Sequence, residues 1–146
     1  MAKRKNKTTR AVHNRPKYQV FVSHSGADKW LAVTLCEKIE ATGATTFRDD
    51  RDIAGGDDIP DEIRRQIKQS REVVVLVTPH SWDRQWVLIE IGGAWAWSKK
   101  MRIVPIRYHV EVDRVPEIIR QKNAYTLNDV DKYLKELGKR VKESGR

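Results

Sequence analysis

Val73-Val74-Val75-Leu76-Val77 decides the fold, because five consecutive apolar residues leave neither face of a strand for water. A strand with one solvated face alternates apolar and polar residues, whereas a strand covered on both faces does not. Continuous apolar strands are typical of the middle of a parallel sheet that is flanked by helices. The stretch therefore predicts a buried central strand in an α/β domain.

Shorter strand patterns lie on both sides of this stretch. Residues 18–22 and 44–47 precede it, and residues 103–106 and 124–126 follow it. All four are short runs rich in residues that favour strands. Because Pro105 has no N–H group to donate to a central ladder, we expect an irregularity at that point.

Helical patterns separate the strands. Three apolar stripes have helical spacing: Leu31, Leu35 and Ile39; Ile59, Ile63 and Ile67; and Val130, Tyr133, Leu134, Leu137 and Val141. Residues 79–98 form a further, Trp-rich helical pattern. Gly43 is expected to end the first helix, and Asp57 or Asp58 is the expected N-cap of the second, with Pro60 in its first turn. The alternation of strand and helix predicts a doubly wound α/β sandwich.

Charge divides the chain into a basic tail and a nearly neutral remainder. The formal net charge is +9, of which residues 1–17 contribute seven positive charges and no acid, so the remaining 129 residues carry +2. We interpret residues 1–16 as a disordered tail and residues 17–146 as one folded domain. The tail is either a solubilising leader or an arm that contacts nucleic acid or an acidic partner.

Several classes of protein are excluded by composition. No stretch approaches the ~20 apolar residues of a membrane span, and the basic N-terminus lacks the apolar segment of a secretory signal. The single cysteine, Cys36, excludes an internal disulfide. We therefore expect a cytoplasmic protein that has no membrane partner. No metal site is expected, since the four histidines lie in separate segments.

Glu90 is the first candidate for chemistry. Trp82, Trp86 and Glu90 are spaced four apart and share one helix face. A lone carboxylate in so apolar a neighbourhood is either desolvated and functional or on the solvated face of the helix. Core packing is the alternative role of the tryptophans, so the pattern alone leaves both interpretations open.

The segment Ser23-His24-Ser25-Gly26 is the second candidate. Small hydroxyls and N–H groups before a helix suit an anion such as a phosphate. The alternatives are a hydrogen-bonded structural role for His24, in place of a general base, and Ser25 or Asp28 as an N-cap. The segment is not a Gly-rich phosphate loop, so the signal for an anion site is a weak one.

Three segments in order resemble the TIR (Toll/interleukin-1 receptor) domains, and among them the bacterial ones. Residues 18–25 look like box 1, and residues 48–57 look like the BB loop of the family. Residues 75–79, followed by Trp86-x-x-x-Glu90, form the third match. Together the matches cover about residues 18–142.

The resemblance implies a flavodoxin-like three-layer sandwich, with a five-stranded parallel sheet in the order 2-1-3-4-5 and helices on both faces. Many TIR domains cleave NAD at the nicotinamide–ribose bond, and their essential glutamate corresponds to Glu90. The resemblance therefore predicts an NAD glycohydrolase or ADP-ribosyl cyclase, with NAD as substrate and no cofactor. The residues expected to bind NAD are Ser23, His24, Ser25, Arg48, Gly56, Asp57 and Trp86.

The resemblance also implies partners. TIR enzymes often associate so that the BB loop of one copy completes the site of the next, although Gly55-Gly56 stands here in place of the usual Pro-Gly. We expect self-association or assembly with other TIR domains, a separately encoded sensor or effector, and a role in antiphage immunity. The alternatives are a non-catalytic TIR interaction module and, less favoured, a nucleoside deoxyribosyltransferase-like enzyme.

Overall fold

The computed structural model describes residues 17–48, 60–81, 101–114 and 124–145. The strands are β1 (Gln19–Ser23), β2 (Thr45–Arg48), β3 (Glu72–Val77), β4 (Arg102–Arg107) and β5 (Tyr125–Thr126), and the helices are α1 (Lys29–Glu40), α2 (Asp61–Gln69) and α3 (Val130–Ser144). All strand pairs are parallel, in the order β2-β1-β3-β4-β5. The predicted sheet is thereby confirmed. The predicted tail lies outside the described residues, and so does the predicted Trp-rich helix apart from its first three positions.

β3 is the centre of the core, and all six of its residues are buried. Its two faces pack against different helices. One face contributes Val73, Val75 and Val77 to a cluster with Ile63 and Ile67 of α2. The other contributes Val74 and Leu76 to a cluster with Leu35 and Ile39 of α1 and Tyr133 and Leu137 of α3. The prediction of a strand covered on both faces is confirmed, and the strand begins one residue earlier, at Glu72.

The start of α2 differs from the prediction. Neither Asp57 nor Asp58 is the N-cap: that position is Pro60, which has extended backbone (φ −56°, ψ 141°). The carbonyl of Pro60 accepts from the N–H groups of Ile63 at 3.0 Å and Arg64 at 3.3 Å. Proline is suitable at this position because an N-cap residue contributes only its carbonyl to the hydrogen bonds of the helix. Asp61 adds negative charge in the first turn, which the helix dipole favours.

β4 is continuous through Pro105, so the expected irregularity is absent. Pro105 lies opposite Val75 in the ladder with β3. The ladder with β5 begins one residue later, where Ile106 pairs with Tyr125. The missing N–H of the proline therefore costs no hydrogen bond in the β5 ladder, which explains why proline is tolerated.

Gly43 follows α1 as predicted and has a φ of 101°. Glycine adopts this backbone without strain, and a Cβ at this position would lie 3.3 Å from Val141 Cγ1. The turn sends the chain directly into β2. Of the helices in the described ranges, none has the length and apolar character needed to cross a bilayer.

Candidate functional site

The carboxyl ends of β1, β2 and β3 meet where the strand order reverses. β1 lies between the other two, so the chain leaves it to one side to form β2 and returns to the other side to form β3. In open α/β sheets, ligands bind in the crevice at such a switch point. The polar residues that follow these strands are therefore the candidates for binding.

Four of the predicted binding residues lie together at this edge. Ser23 is the last residue of β1, one position later than the predicted end of that strand, and His24 and Ser25 follow it; all three are buried. Arg48 is the last residue of β2, pairs in register with Val22, and is half-buried. The ladder thus places Arg48 beside the end of β1, where the loop of hydroxyl and imidazole groups begins.

Ser25 organises the backbone of this loop. Its hydroxyl accepts from the N–H of Ala27 at 3.3 Å, and its carbonyl accepts from the N–H of Asp28 at 2.9 Å. Ser25 is thus the N-cap of the short 3₁₀ turn Gly26–Asp28, as one interpretation of the sequence held. Asp28 is the N-cap of α1 but makes no side-chain capping bond.

His24 is held against the same loop. Its Nδ1 lies 2.7 Å from the carbonyl oxygen of Ser25. Because a carbonyl only accepts, Nδ1 carries the proton in this contact. This contact supports the interpretation of His24 as a hydrogen-bonded structural residue.

The loop after β3 is tied to the loop after β1 by a network absent from the sequence predictions. The Thr78 hydroxyl donates to the Asp28 carboxylate and accepts from the N–H of His80. The Ser81 hydroxyl accepts from the N–H of Thr78 at 3.0 Å and donates to the carbonyl of Leu76 at 2.7 Å. The chain therefore enters residues 82–100 from a point anchored at the switch point.

The remaining predicted site residues, Gly56, Asp57, Trp86 and Glu90, lie outside the described residues. Their roles stay predictions from the sequence. Within the ranges that the structure describes, no three His, Cys, Asp or Glu side chains are grouped so as to hold a metal ion.

A second polar cluster, at the amino end of the sheet, was not anticipated from the sequence. Glu72, at the start of β3, is fully buried. Arg140 binds both of its carboxylate oxygens, with Nε to Oε2 at 2.7 Å and Nη2 to Oε1 at 2.9 Å. The Tyr133 hydroxyl donates to Oε1 at 3.2 Å, and the Tyr18 hydroxyl donates to Oε2. We call these four residues the Glu72 cluster.

Burial and the Glu72 carboxylate shift the pKa values of the neighbours. Burial first, and then the hydrogen bond to Glu72, raises the pKa of Tyr18 to about 12. Burial first, and then the charge of Glu72 and the hydrogen bond to it, also raise the pKa of Tyr133. For Arg140, burial acts to lower the pKa, but the bond to Glu72 outweighs it and raises the value. Since both carboxylate oxygens are fully engaged, the Glu72 cluster stabilises the fold and does not offer a catalytic group.

Comparison with known proteins gives a consistent family. A family model described as TIR domain matches residues 20–140. The "NAD(+) hydrolase PdTIR" of Paracoccus denitrificans is 30% identical over 103 residues, which is 68% of this chain and 34% of that protein. The "Probable 2' cyclic ADP-D-ribose synthase TcpB" of Brucella abortus is 30% identical over 101 residues, 67% of this chain and 40% of that protein. The chain thus spans less than half the length of either relative.

The fold is shared with solved TIR structures. The crystal structure of the RPS4 and RRS1 TIR domain heterodimer aligns with a TM-score of 0.65 at 14% identity, covering 88% of this chain and 99% of that one. At this identity the match concerns the fold alone.

Proposed function

Because the chain belongs to the TIR domain family, we propose that it cleaves NAD at the bond between nicotinamide and ribose. The products are nicotinamide and either ADP-ribose or a cyclic ADP-ribose. The observation that carries the proposal is the meeting of Ser23, His24 and Ser25 with Arg48 at the switch point of the sheet. The names of the two relatives, an NAD(+) hydrolase and a cyclic ADP-ribose synthase, support the same substrate.

Binding of NAD follows from the charges at this edge. The substrate carries a pyrophosphate, and the Arg48 guanidinium is a planar fork of donors that matches phosphate oxygens. In this proposal the loop at Ser23, His24 and Ser25 binds the ribose and phosphate groups that lie next to the pyrophosphate contact of Arg48. Gly56 and Asp57, which follow Arg48 in the sequence, contribute to the same binding site.

Glu90 supplies the catalytic charge in this proposal. When the bond between C1′ and the nicotinamide nitrogen breaks, both electrons leave with nicotinamide, which departs neutral and needs no proton. The ribose becomes oxocarbenium-like, and a fixed carboxylate stabilises that positive charge. Water then adds to C1′ and loses one proton, giving ADP-ribose, or a nucleophile within the same molecule adds, also loses one proton, and gives a cyclic product. Trp86 offers an aromatic face on which a heterocycle can stack.

Mass spectrometry of NAD incubated with concentrated protein tests the activity. We expect nicotinamide together with one ADP-ribose species, whose mass distinguishes the linear product from the cyclic one by one water. Arg48→Gln should raise KM by about tenfold, since a charged hydrogen bond to phosphate is lost. Arg65→Gln, which removes an exposed cation on α2, is the matched control. Absence of nicotinamide release at any protein concentration would contradict the proposal.

Assembly with other TIR domains is the second candidate function. Trp30, in the first turn of α1, is 78% exposed, and exposed tryptophans are enriched at the centres of protein interfaces. We expect specific activity to rise with protein concentration, and Trp30→Ala to reduce self-association in light scattering. An inert wild type that still self-associates through Trp30 would favour the non-catalytic interaction module.

The cellular role in this proposal is antiphage defence in the cytoplasm, together with a sensor or effector. Phage plaque counts on cells that express the wild type or Glu90→Gln test this role. We expect the wild type to protect the cells and Glu90→Gln to give no protection. Equal protection by both proteins would separate the defence role from NAD cleavage.

A further inference from the structure

A cavity of about 320 Å³ lies at the carboxyl ends of β4 and β5. Small-molecule sites range from about 300 to 1,000 Å³, so this cavity is at the lower end of that range and suits a small ligand. Arg48 and Arg107 end β2 and β4, which stand three strand spacings apart, or about 14 Å. The loop after β1 is two strand spacings, or about 10 Å, from β4, and neither Arg48 nor that loop lines the cavity.

An aromatic pair forms one wall of the cavity. Tyr108 is 41% exposed, and its ring lies 4.1 Å from that of His109, measured between centroids. His109 has a φ of 54°, a left-handed backbone conformation that residues other than glycine adopt only rarely. The chain thus holds two aromatic rings at the cavity in a strained turn, and flat heterocycles stack on such rings.

Polar groups with unused hydrogen-bonding capacity line the rest of the cavity. The half-buried Arg107 donates from Nη1 to the carbonyl of Val110 at 3.2 Å, which is its one side-chain hydrogen bond to the described residues. Its other donors remain available to a ligand. Within the described part of the chain, the Glu111 carboxylate and the Asn128 amide form no hydrogen bond and line the same cavity.

From these contacts we propose that the cavity binds a purine mononucleotide that carries an exocyclic amino group. The base stacks on Tyr108 and His109, and the phosphate is bound by the guanidinium of Arg107. The Glu111 carboxylate only accepts hydrogen bonds, so it selects a base whose edge donates one, as the amino group of adenine does. This site uses none of the residues assigned to NAD cleavage and does not depend on that activity.

Calorimetric titration of the full chain with 5′-AMP tests the proposal. Arg107→Gln and Tyr108→Ala should each weaken binding by about tenfold, because a charged phosphate contact or a stacking surface is lost. Tyr108→Phe should stay within about twofold, since the stacking ring remains. Purine riboside 5′-monophosphate, which has a hydrogen in place of the amino group and no other donor on that edge, should bind more weakly than AMP, and Glu111→Gln should reduce that preference.

Two matched variants locate the binding event. Arg65→Gln on α2 removes one positive charge and should leave AMP binding unchanged, whereas Arg48→Gln at the switch point reports AMP that is bound at the proposed NAD site. Circular dichroism verifies the fold of every variant. No heat of binding at millimolar AMP would overturn the proposal. So would binding that is lost in Arg48→Gln but retained in Arg107→Gln, because AMP would then occupy the NAD site. NAD cleavage is assayed separately, so its absence leaves this test intact.

Discussion

The two ends of the sheet use polar residues in opposite ways. At the amino end, the Glu72 carboxylate is fully buried and takes hydrogen bonds from Arg140, Tyr133 and Tyr18. At the carboxyl end, Arg48 stands half-buried beside the loop that starts at Ser23. Both ends contain charge within an apolar framework. Burial of a carboxylate therefore does not by itself mark a catalytic site, because the groups that bind the carboxylate decide whether it is free to react.

Glu72→Gln should give the largest effect, on stability. It leaves the Arg140 guanidinium partly buried without its counter-charge, and breaking such a pair costs on the order of 3 kcal/mol. Urea unfolding followed by circular dichroism measures the change. Glu136→Gln is the matched control, since Glu136 also accepts from a tyrosine hydroxyl, that of Tyr125, but is exposed. A loss below about 1 kcal/mol would mean that the Glu72 cluster acts like a surface ion pair.

Glu90→Gln should give the converse result, a loss of rate without a loss of stability. Removing the charge that stabilises an oxocarbenium-like transition state should lower kcat on the order of 100-fold, equivalent to about 2.7 kcal/mol. Nicotinamide release and urea unfolding are measured on the same preparations. If Glu90→Gln keeps full activity while Glu72→Gln, still folded, loses it, the roles assigned to the two glutamates are reversed.

Thr78→Val tests whether the carboxyl end is held in place by the bond to Asp28. The substitution preserves shape but leaves a carboxylate without its donor, at a cost of about 1–2 kcal/mol in stability. We also expect kcat to fall with KM little changed, because the anchor precedes the segment that carries Glu90. Thr46→Val, which removes a hydroxyl bonded to Glu40 at 2.6 Å, should leave kcat unchanged. Equal effects of the two variants on kcat would remove the positioning role of Thr78.

The smallest effect concerns alkaline pH at the amino end. The pKa of Tyr18 is raised by burial and by Glu72 to about 12, from 10 in the unfolded chain. The folded state therefore holds this proton more tightly, and its contribution to stability is full below pH 10 and is lost as the pH rises through 12. Unfolding free energies at pH 9 and pH 11.5 should differ less in Tyr18→Phe than in the wild type. An unchanged difference would exclude Tyr18 as a source of the pH dependence.

The fold could be predicted from the sequence because each strand and helix is specified by a pattern of neighbouring residues. The apolar run Val73–Val77 predicted a strand covered on both faces, and the helical stripes supplied the elements that cover it. The ends of elements were less predictable. Pro60 caps α2 because its carbonyl accepts the first bonds of the helix, and β4 continues through Pro105 because the ladder with β5 begins only at Ile106. Residue propensities do not predict either of these tertiary arrangements.

The residue pattern was enough to predict the class of sheet and to place Ser23, His24, Ser25 and Arg48 at the carboxyl ends of two strands, and the family resemblance predicted the strand order. The partners of the polar groups, in contrast, are set by tertiary packing. Arg140 lies 68 positions from Glu72 along the chain, and Thr78 lies 50 positions from Asp28. Periodicity reports on the few residues around each position, whereas these pairs form because parallel crossovers bring distant segments to the same edge of one sheet.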